Sequence, residues 1–303
     1  MGFSTADLQA GTNEHYRDAA LYDFEYRRRR ADVLCYRELA RTYDTGGGVL
    51  ELGCGTGRLL VPLARDGHFV VGLDLARPML ARAQQRITRL GSTARQRAVL
   101  LRADMRAFSL ARRFSLIVCP FNAFQHLYTH RDVAACLEHV HQHLAPGGRF
   151  ALDVLTPDLR WLLRDPEKRW ARTRFKHPTT KIRYEYTTNQ TYDAVGQVAH
   201  IRVFYEQIDD KPDDKPDDKP DDKPDDKTDD KTDAVATGRL IPSPVRVVRI
   251  AHRQFFPAEL MALVEHAGFL VEERWGGFHR EPFDGDSDTQ LLVCARPSES
   301  RAL

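Results

Sequence analysis

The chain has 303 residues, 42% of them hydrophobic, enough for one large α/β domain or for one such domain with an elaborated lobe. Its formal charge of +2 hides a segment, 209–233, with thirteen Asp and six Lys; that segment carries −7 and the rest of the chain +9, as scattered charge rather than a patch, so no nucleic-acid partner is expected. Five cysteines without a Cys-x-x-Cys pair argue against a metal site or a disulfide framework, and no apolar run reaches the roughly 18–20 residues of a membrane span or makes an N-terminal signal segment, so the expectation is a cytoplasmic chain with no membrane partner.

Residues from about Asn13 to Tyr43 pattern as helix, with apolar residues at Leu21, Phe24, Val33, Leu34, Tyr36, Leu39 and Ala40. The basic run Arg27–Arg30 within it has the character of a solvated face. Strands and helices then alternate. Strand Val49–Cys54 leads to helix Arg58–Arg65, strand Phe69–Leu75 and a helix from Pro78 to about Leu90, with proline in its first turn. Strands Ala98–Ala103 and Phe114–Pro120 follow. A helix capped by Asp132 runs to Leu144, Pro146-Gly147-Gly148 closes it, and strand Arg149–Leu155 comes next. Short β-branched runs separated by helices imply a parallel sheet covered on both faces, with right-handed crossovers. Cys54, Cys119 and Cys294 lie in such runs and are expected to be small buried hydrophobes.

After Pro157 the period changes. Lys181–Tyr192, Gln197–Ile208 and Val245–Phe256 alternate apolar and polar residues, as antiparallel strands do. Helix Pro257–Ala267 and strands Phe269–Trp275 and Gln290–Ala295 close the pattern. The segment 209–233 repeats Asp-Asp-Lys-Pro, then Asp-Asp-Lys-Thr. With no apolar residue it is expected to be a disordered loop joining two lid strands, and without a glycine turn it is not expected to be a calcium site. The fold class expected is α/β: a doubly wound, seven-stranded, mostly parallel sheet with an antiparallel β lid inserted after the fifth strand. Its parts are a helical cap at 1–45, a core at 46–157, the lid at 158–256 and a completing segment at 257–303.

The chemistry is concentrated at Val49–Arg58, VLELGCGTGR. A glycine turn between a strand and a helix lets a ligand approach the backbone without Cβ atoms in the way. The dinucleotide fingerprint Gly-x-Gly-x-x-Gly fails, because Arg58 stands at its third glycine, and the Gly-Lys-Ser/Thr of a P-loop is absent. Asp74 ends the second strand 17 positions after Gly57, where a carboxylate can accept ribose hydroxyls. Asp104-Met105 ends the third strand, at the edge where open α/β sheets bind ligands; a helix cap is the other reading of Asp104. Met79 is open between pocket lining and helix core.

The acidic-x-Gly-x-Gly-x-Gly pattern of Glu51–Gly57 resembles motif I of the class I, Rossmann-like S-adenosylmethionine-dependent methyltransferases, and of their small-molecule type. The resemblance extends over nearly the whole chain, through Leu144–Gly148 and Pro257–Phe269; the acidic repeat and the lack of a diagnostic substrate motif depart from it. It implies S-adenosyl-L-methionine as cofactor, held by Tyr22, Glu51, Gly53, Cys54, Gly55, Gly57, Asp74, Leu75, Met79, Asp104, Met105, Pro120 and Phe121. Asp104 would take the adenine amine, and Tyr16 with Tyr22-Asp23 is similar to an N-terminal helix that closes over the cofactor. The segment Cys119–Leu127 is similar to the active-site turn of amino-sugar N-methyltransferases, which makes His126 the candidate catalytic base, since an imidazole titrates near neutral pH. Tyr22 and Phe121 are placed to face a sulfonium. His139 and His143 share an i,i+4 spacing but lack an accompanying Glu, so a solvated face is expected and no metal.

These features favour methyl transfer to N or O of a small metabolite by a monomer or homodimer. A protein or RNA methyltransferase would need an open basic face, a non-catalytic sensor or assembly protein would bind the cofactor without transferring methyl, and an NAD-dependent oxidoreductase is disfavoured by Arg58. Tyr184, Tyr186, Tyr192, Phe204 and Tyr205 of the lid are available to line an acceptor pocket, although alternation puts some of them elsewhere.

Overall fold

The computed structural model describes residue 8, residues 13–208 and residues 245–297; the repeat at 209–233, and with it the expected disordered loop, lies outside the described residues. The core sheet holds β1 (Val49–Leu52), β2 (Val70–Asp74), β3 (Ala98–Arg102), β4 (Phe114–Cys119), β5 (Leu144–Leu155), β10 (Leu270–Trp275) and β11 (Thr289–Ala295). Their order is β10-β11-β5-β4-β1-β2-β3. The pairs β1–β2, β1–β4, β2–β3 and β4–β5 are parallel, whereas β11 runs against both β5 and β10. Order reverses at β1 and β4, whose carboxyl ends therefore border one crevice.

Strands β1, β4 and β11 are buried along their whole length, and most of their residues are accordingly apolar. Within β4 the period of two sorts the side chains: Ile117 and Cys119 join one core cluster, Leu116 and Val118 the other. The first cluster takes in Val133, Cys136, Leu137 and Val140 of helix His130–His143 and Leu260 and Val264 of helix Pro257–His266. The second takes in Tyr36 and Leu39 of helix Ala31–Tyr43 with Leu60, Leu63 and Ile87. Each fully buried Leu contributes about 1.5–3 kcal/mol, so the two layers hold the sheet firmly. All five cysteines are free and buried.

The helices are α1 (Ala19–Glu25), α2 (Ala31–Tyr43), α3 (Leu60–Asp66), α4 (Arg77–Thr88), α5 (Ser92–Gln96), α6 (His130–His143), α7 (Leu159–Leu162) and α8 (Pro257–His266). Helices α5 and α7 were not expected from the sequence, β5 begins at Leu144 rather than Arg149, through the Pro146-Gly147-Gly148 segment expected to close the helix, and three further details depart from the sequence reading. The single N-terminal helix is broken between α1 and α2, at the basic run, and Asp18 caps α1 by accepting from the Leu21 N–H. Thr129, rather than Asp132, is the N-cap of α6, and Asp132 closes the capping box from its third position. His143 is buried rather than solvated: its Nδ1 donates to the His139 carbonyl, and its Nε2 accepts from the Leu110 N–H. Among the described residues no group of His, Cys, Asp and Glu is arranged to hold a metal, and no helix is long and apolar enough to cross a membrane.

Between β5 and α8 the chain forms an antiparallel sheet, β6 (Trp170–Lys176), β7 (Arg183–Asp193), β8 (Val198–Gln207) and β9 (Val245–Arg253), in sequential order. It is pinned to the core through β9. The Gln125 amide donates to the Arg253 carbonyl at 2.8 Å, and the Tyr128 hydroxyl donates to the Ala251 carbonyl at 3.1 Å. Both donors belong to the stretch after β4, so the lid sits directly over that strand's carboxyl end.

Candidate cofactor and acceptor site

The turn after β1 supplies the floor. Gly53 and Gly55 have φ of +71° and +52°, a region that L side chains rarely adopt, and a Cβ on Gly53 would lie 2.8 Å from the Ala123 Cβ. The turn is held from β2. Asp74 Oδ2 accepts from the Gly55 N–H and Oδ1 from the Ala76 N–H, both at 2.8 Å. Burial raises the Asp74 carboxyl above its ordinary value, while these backbone bonds oppose the shift.

A narrow cleft opens between this turn and the end of β4, lined by Tyr22, Glu51, Gly53, Cys54, Gly55, Thr56, Arg58, Leu59, Pro120 and Phe121. Seven of the residues named from sequence meet here: Tyr22, Glu51, Gly53, Cys54, Gly55, Pro120 and Phe121. Glu51 is fully enclosed. Burial pushes its carboxyl up to about 8, with Arg58 opposing, and the Leu60 N–H bonds to it. Its Oε2 is nonetheless buried with no hydrogen-bond partner. An orphaned carboxylate oxygen at a glycine turn fits an incoming ammonium, such as the α-ammonium of S-adenosylmethionine, and Asp74 keeps lone pairs for the ribose hydroxyls. Arg58 is anchored to Asp32 and lies 4.1 Å over the Phe121 ring.

The other named residues stand apart from this cleft. Gly57 lets the turn pack on α4, since a Cβ there would lie 3.3 Å from the Ala83 Cβ. Met79 is buried on α4 with its methyl beneath Gly55. Leu75 is half exposed at the end of β2. For Asp104, burial works upward, but the hydrogen bonds and charge of Arg106 prevail and hold the carboxyl below its ordinary value. Arg106 also reaches Asp132 at 2.8 Å. Met105 packs against the core.

The segment after β4 turns sharply, with Phe121 and Asn122 both left-handed at φ +57° and +61°. Asp153 of β5 holds it there. Its Oδ1 accepts from the Phe121 N–H at 2.8 Å and from the Tyr36 hydroxyl at 2.7 Å, and its Oδ2 accepts from the Asn122 N–H at 3.1 Å. Burial raises the Asp153 carboxyl to about 6 against these donors. One turn on, half-buried His126 sits among Tyr16, Tyr128 and His252. The Tyr16 hydroxyl lies 2.8 Å from Nε2 and the Tyr128 hydroxyl 3.3 Å from Nδ1. Burial, aided by the charges of His252 and His15, drives His126 well below the ordinary histidine value, so the ring is neutral at pH 7.

Helix α1 closes the site from above. Asp23 accepts from the Thr56 hydroxyl at 2.7 Å and pairs with Arg82 and Arg86 of α4. On its other side α1 meets the lid: Tyr205 donates to Glu25 at 2.8 Å, and His177 lies 3.0 Å from Asp18. Of the lid aromatics, Tyr205 is buried in a cluster with Leu21, Val203 and Val248, and Tyr184 and Tyr186 pack against it. Asp153, Asp32, Gln125 and Glu25 escaped the sequence reading because their partners are distant in sequence. Only the carboxylate in the apolar run Phe150–Val154 was a visible signal. A separate cavity of about 730 Å³ between α6 and α8 shares no residue with this site.

Residues 49–148 match a family described as Methyltransferase domain. Over 137 residues the chain is 36% identical to a dTDP-3-amino-3,6-dideoxy-alpha-D-glucopyranose N,N-dimethyltransferase of Streptomyces fradiae, covering 43% of this chain and 50% of the relative. Over 100 residues it is 33% identical to a dTDP-3-amino-3,4,6-trideoxy-alpha-D-glucopyranose N,N-dimethyltransferase of Streptomyces venezuelae, covering 33% and 39%. The chain thus spans half or less of the length of these curated relatives. The CcbJ methyltransferase of Streptomyces caelestis has the same fold, with a TM-score of 0.69 at 19% identity over 95% of this chain and 99% of that one. With its glycine turn, its carboxylate at the end of β2 and its reversal of strand order, the stretch 49–148 carries a methyltransferase domain, and its build is similar to that of the class I S-adenosylmethionine-dependent enzymes.

Proposed function

We propose that the protein transfers a methyl group from S-adenosylmethionine to an amine nitrogen of a small metabolite. The observation that carries this reading is the roof: α1 and the lid close over the β4 edge, tied by Thr56–Asp23, Glu25–Tyr205 and Asp18–His177, and an enclosed site suits a small acceptor better than a folded macromolecule. The relatives named for N,N-dimethylation of amino sugars favour nitrogen over oxygen.

When bound, the cofactor supplies a sulfonium whose methyl carbon is already activated for in-line displacement. Glu51 would hold its ammonium, Asp74 its ribose, and Phe121 and Tyr22 would face the sulfonium. The chain's own work is alignment and proton handling. The Asp153-held turn fixes Phe121 and, through the following residues, His126. Alignment of this kind supplies several kcal/mol in displacement reactions. An amine that arrives protonated must lose a proton before its lone pair can attack. The amine's proton would pass to the Tyr16 hydroxyl oxygen as Tyr16 gives its own proton to the neutral His126 Nε2, and the imidazolium, kept weakly basic by burial, would release that proton to solvent when the product leaves.

Two measurements test the reading. Calorimetry should detect S-adenosylmethionine binding and none of NAD. Turnover of dTDP-3-amino-3,6-dideoxy-alpha-D-glucopyranose should give mono- and dimethylated product. In His126→Ala, kcat should fall by at least about tenfold with cofactor affinity retained. Unchanged turnover removes His126 from the mechanism, and failure to bind the cofactor removes the function.

A further inference from the structure

Glu25 is a carboxylate that the alignment and proton steps leave unused. On α1 the residues Tyr22 and Tyr26 are four apart and share one face, which looks onto the end of β4: the rings of Tyr22 and Tyr26 are 4.7 Å apart, and those of Tyr26 and Phe121 5.0 Å. Leu21 lies on the face that packs under the lid with Val203, Tyr205 and Val248. Glu25 is three positions from Tyr22 and four from Leu21, so it occupies the seam between the aromatic wall and the lid. There its carboxylate accepts from Tyr205, whose ring lies 5.7 Å from that of Tyr186. Tyr22, Glu25, Tyr26 and Tyr186 are each half-buried.

Aromatic faces beside a carboxylate attract cations, and this wall already does so. The Arg29 guanidinium lies 5.5 Å over Tyr26 and 5.9 Å from Phe121, and Arg58 lies over the opposite part of the wall. Burial raises Glu25 to about 7, the Tyr205 hydrogen bond and Arg246 work downward, and Asp18 works upward. The carboxylate is therefore poised to ionise when a cation arrives.

We infer that Glu25, with Tyr26, Tyr186 and Tyr205, is the recognition site for the acceptor's amine, binding it as an alkylammonium at the seam between α1 and the lid. This rests on the amine-methyltransferase reading and makes it specific: the preferred acceptors and products are cationic amines, and isosteric neutral molecules bind poorly.

The test uses the full chain loaded with S-adenosylhomocysteine and two probes of the same shape, choline and 3,3-dimethylbutan-1-ol, with binding followed by Tyr fluorescence or calorimetry. The unmodified protein should bind choline at least about tenfold more tightly than its neutral isostere. Glu25→Gln, which keeps an acceptor for Tyr205, should bring that ratio close to one with S-adenosylhomocysteine affinity unchanged. Tyr205→Phe keeps the carboxylate and should retain most of the preference, which separates charge recognition from lid packing. Equal binding of the two probes by the unmodified protein overturns the inference, as does a preference that survives Glu25→Gln. Cofactor binding with methyl transfer to a neutral hydroxyl acceptor would leave the domain's chemistry standing and remove this site alone.

Discussion

Replacing Glu51 with Gln removes one charge while keeping the side chain's length and an acceptor for the Leu60 N–H. The carboxyl moves from an ordinary 4.5 to about 8 on folding. Because the folded state binds the proton more tightly, the ionised form opposes folding. Stability is full below the unfolded value and is lost as pH rises toward 8. At pH 7 that loss is on the order of 3 kcal/mol. E51Q should therefore melt higher than the unmodified protein in the absence of cofactor, by about 5–10 °C at pH 7 as an upper bound, with the gap widening from pH 5 to pH 8. Cofactor affinity should move the other way. Losing a charge-assisted partner for the ammonium weakens S-adenosylmethionine binding by roughly 30–100-fold, or about 2–3 kcal/mol. Differential scanning calorimetry across pH and isothermal titration with the cofactor read both quantities. If E51Q melts lower at every pH, or binds S-adenosylmethionine with unchanged affinity, the orphaned carboxylate is not reserved for the cofactor.

Other variants probe the turn geometry. Asp153→Ala leaves the Phe121 and Asn122 N–H groups and the Tyr36 hydroxyl without their acceptor; it should lower stability by about 3–5 kcal/mol and abolish turnover, and urea unfolding showing less than about 1 kcal/mol would contradict the assigned role. Gly53→Ala combines a left-handed backbone with a 2.8 Å approach to Ala123. It should lose cofactor binding by titration while costing about 1–3 kcal/mol in thermal unfolding, and intact affinity would mean that the turn adapts.

The core strands, and the longer helices between them, were legible because each such strand carries its own apolar run and each such helix its own stripe; the short α5, with no buried residue, carries no such signal. The glycine turn was legible for the same reason: its conformational demand is written in adjacent residues. What escaped were partnerships between elements. Asp153 looks like an interruption of an apolar strand until its two backbone donors, about thirty positions earlier, come to it. Gln125 and Arg253 are 128 positions apart, and nothing local announces their bond. His143 illustrates a weaker failure. Its spacing from Val133, Cys136 and Val140 puts it on the buried stripe of α6, but the pairing with His139 drew attention to a metal-like spacing instead. Helix α1 could not be separated from α2 because the basic run between them is compatible with either a helix surface or a break.

The position of α1 has a consequence for the order of events during a catalytic cycle. It carries side-chain bonds both to the glycine turn, through Asp23, and to the lid, through Asp18 and Glu25. Displacing it to admit one ligand loosens the wall of the other ligand's site as well, so the cost of reordering the helix is shared. Whichever ligand settles first restores part of that order for the second, and the two occupancies are linked with equal strength in both directions. On the proposed function, cofactor and acceptor would therefore bind cooperatively through α1.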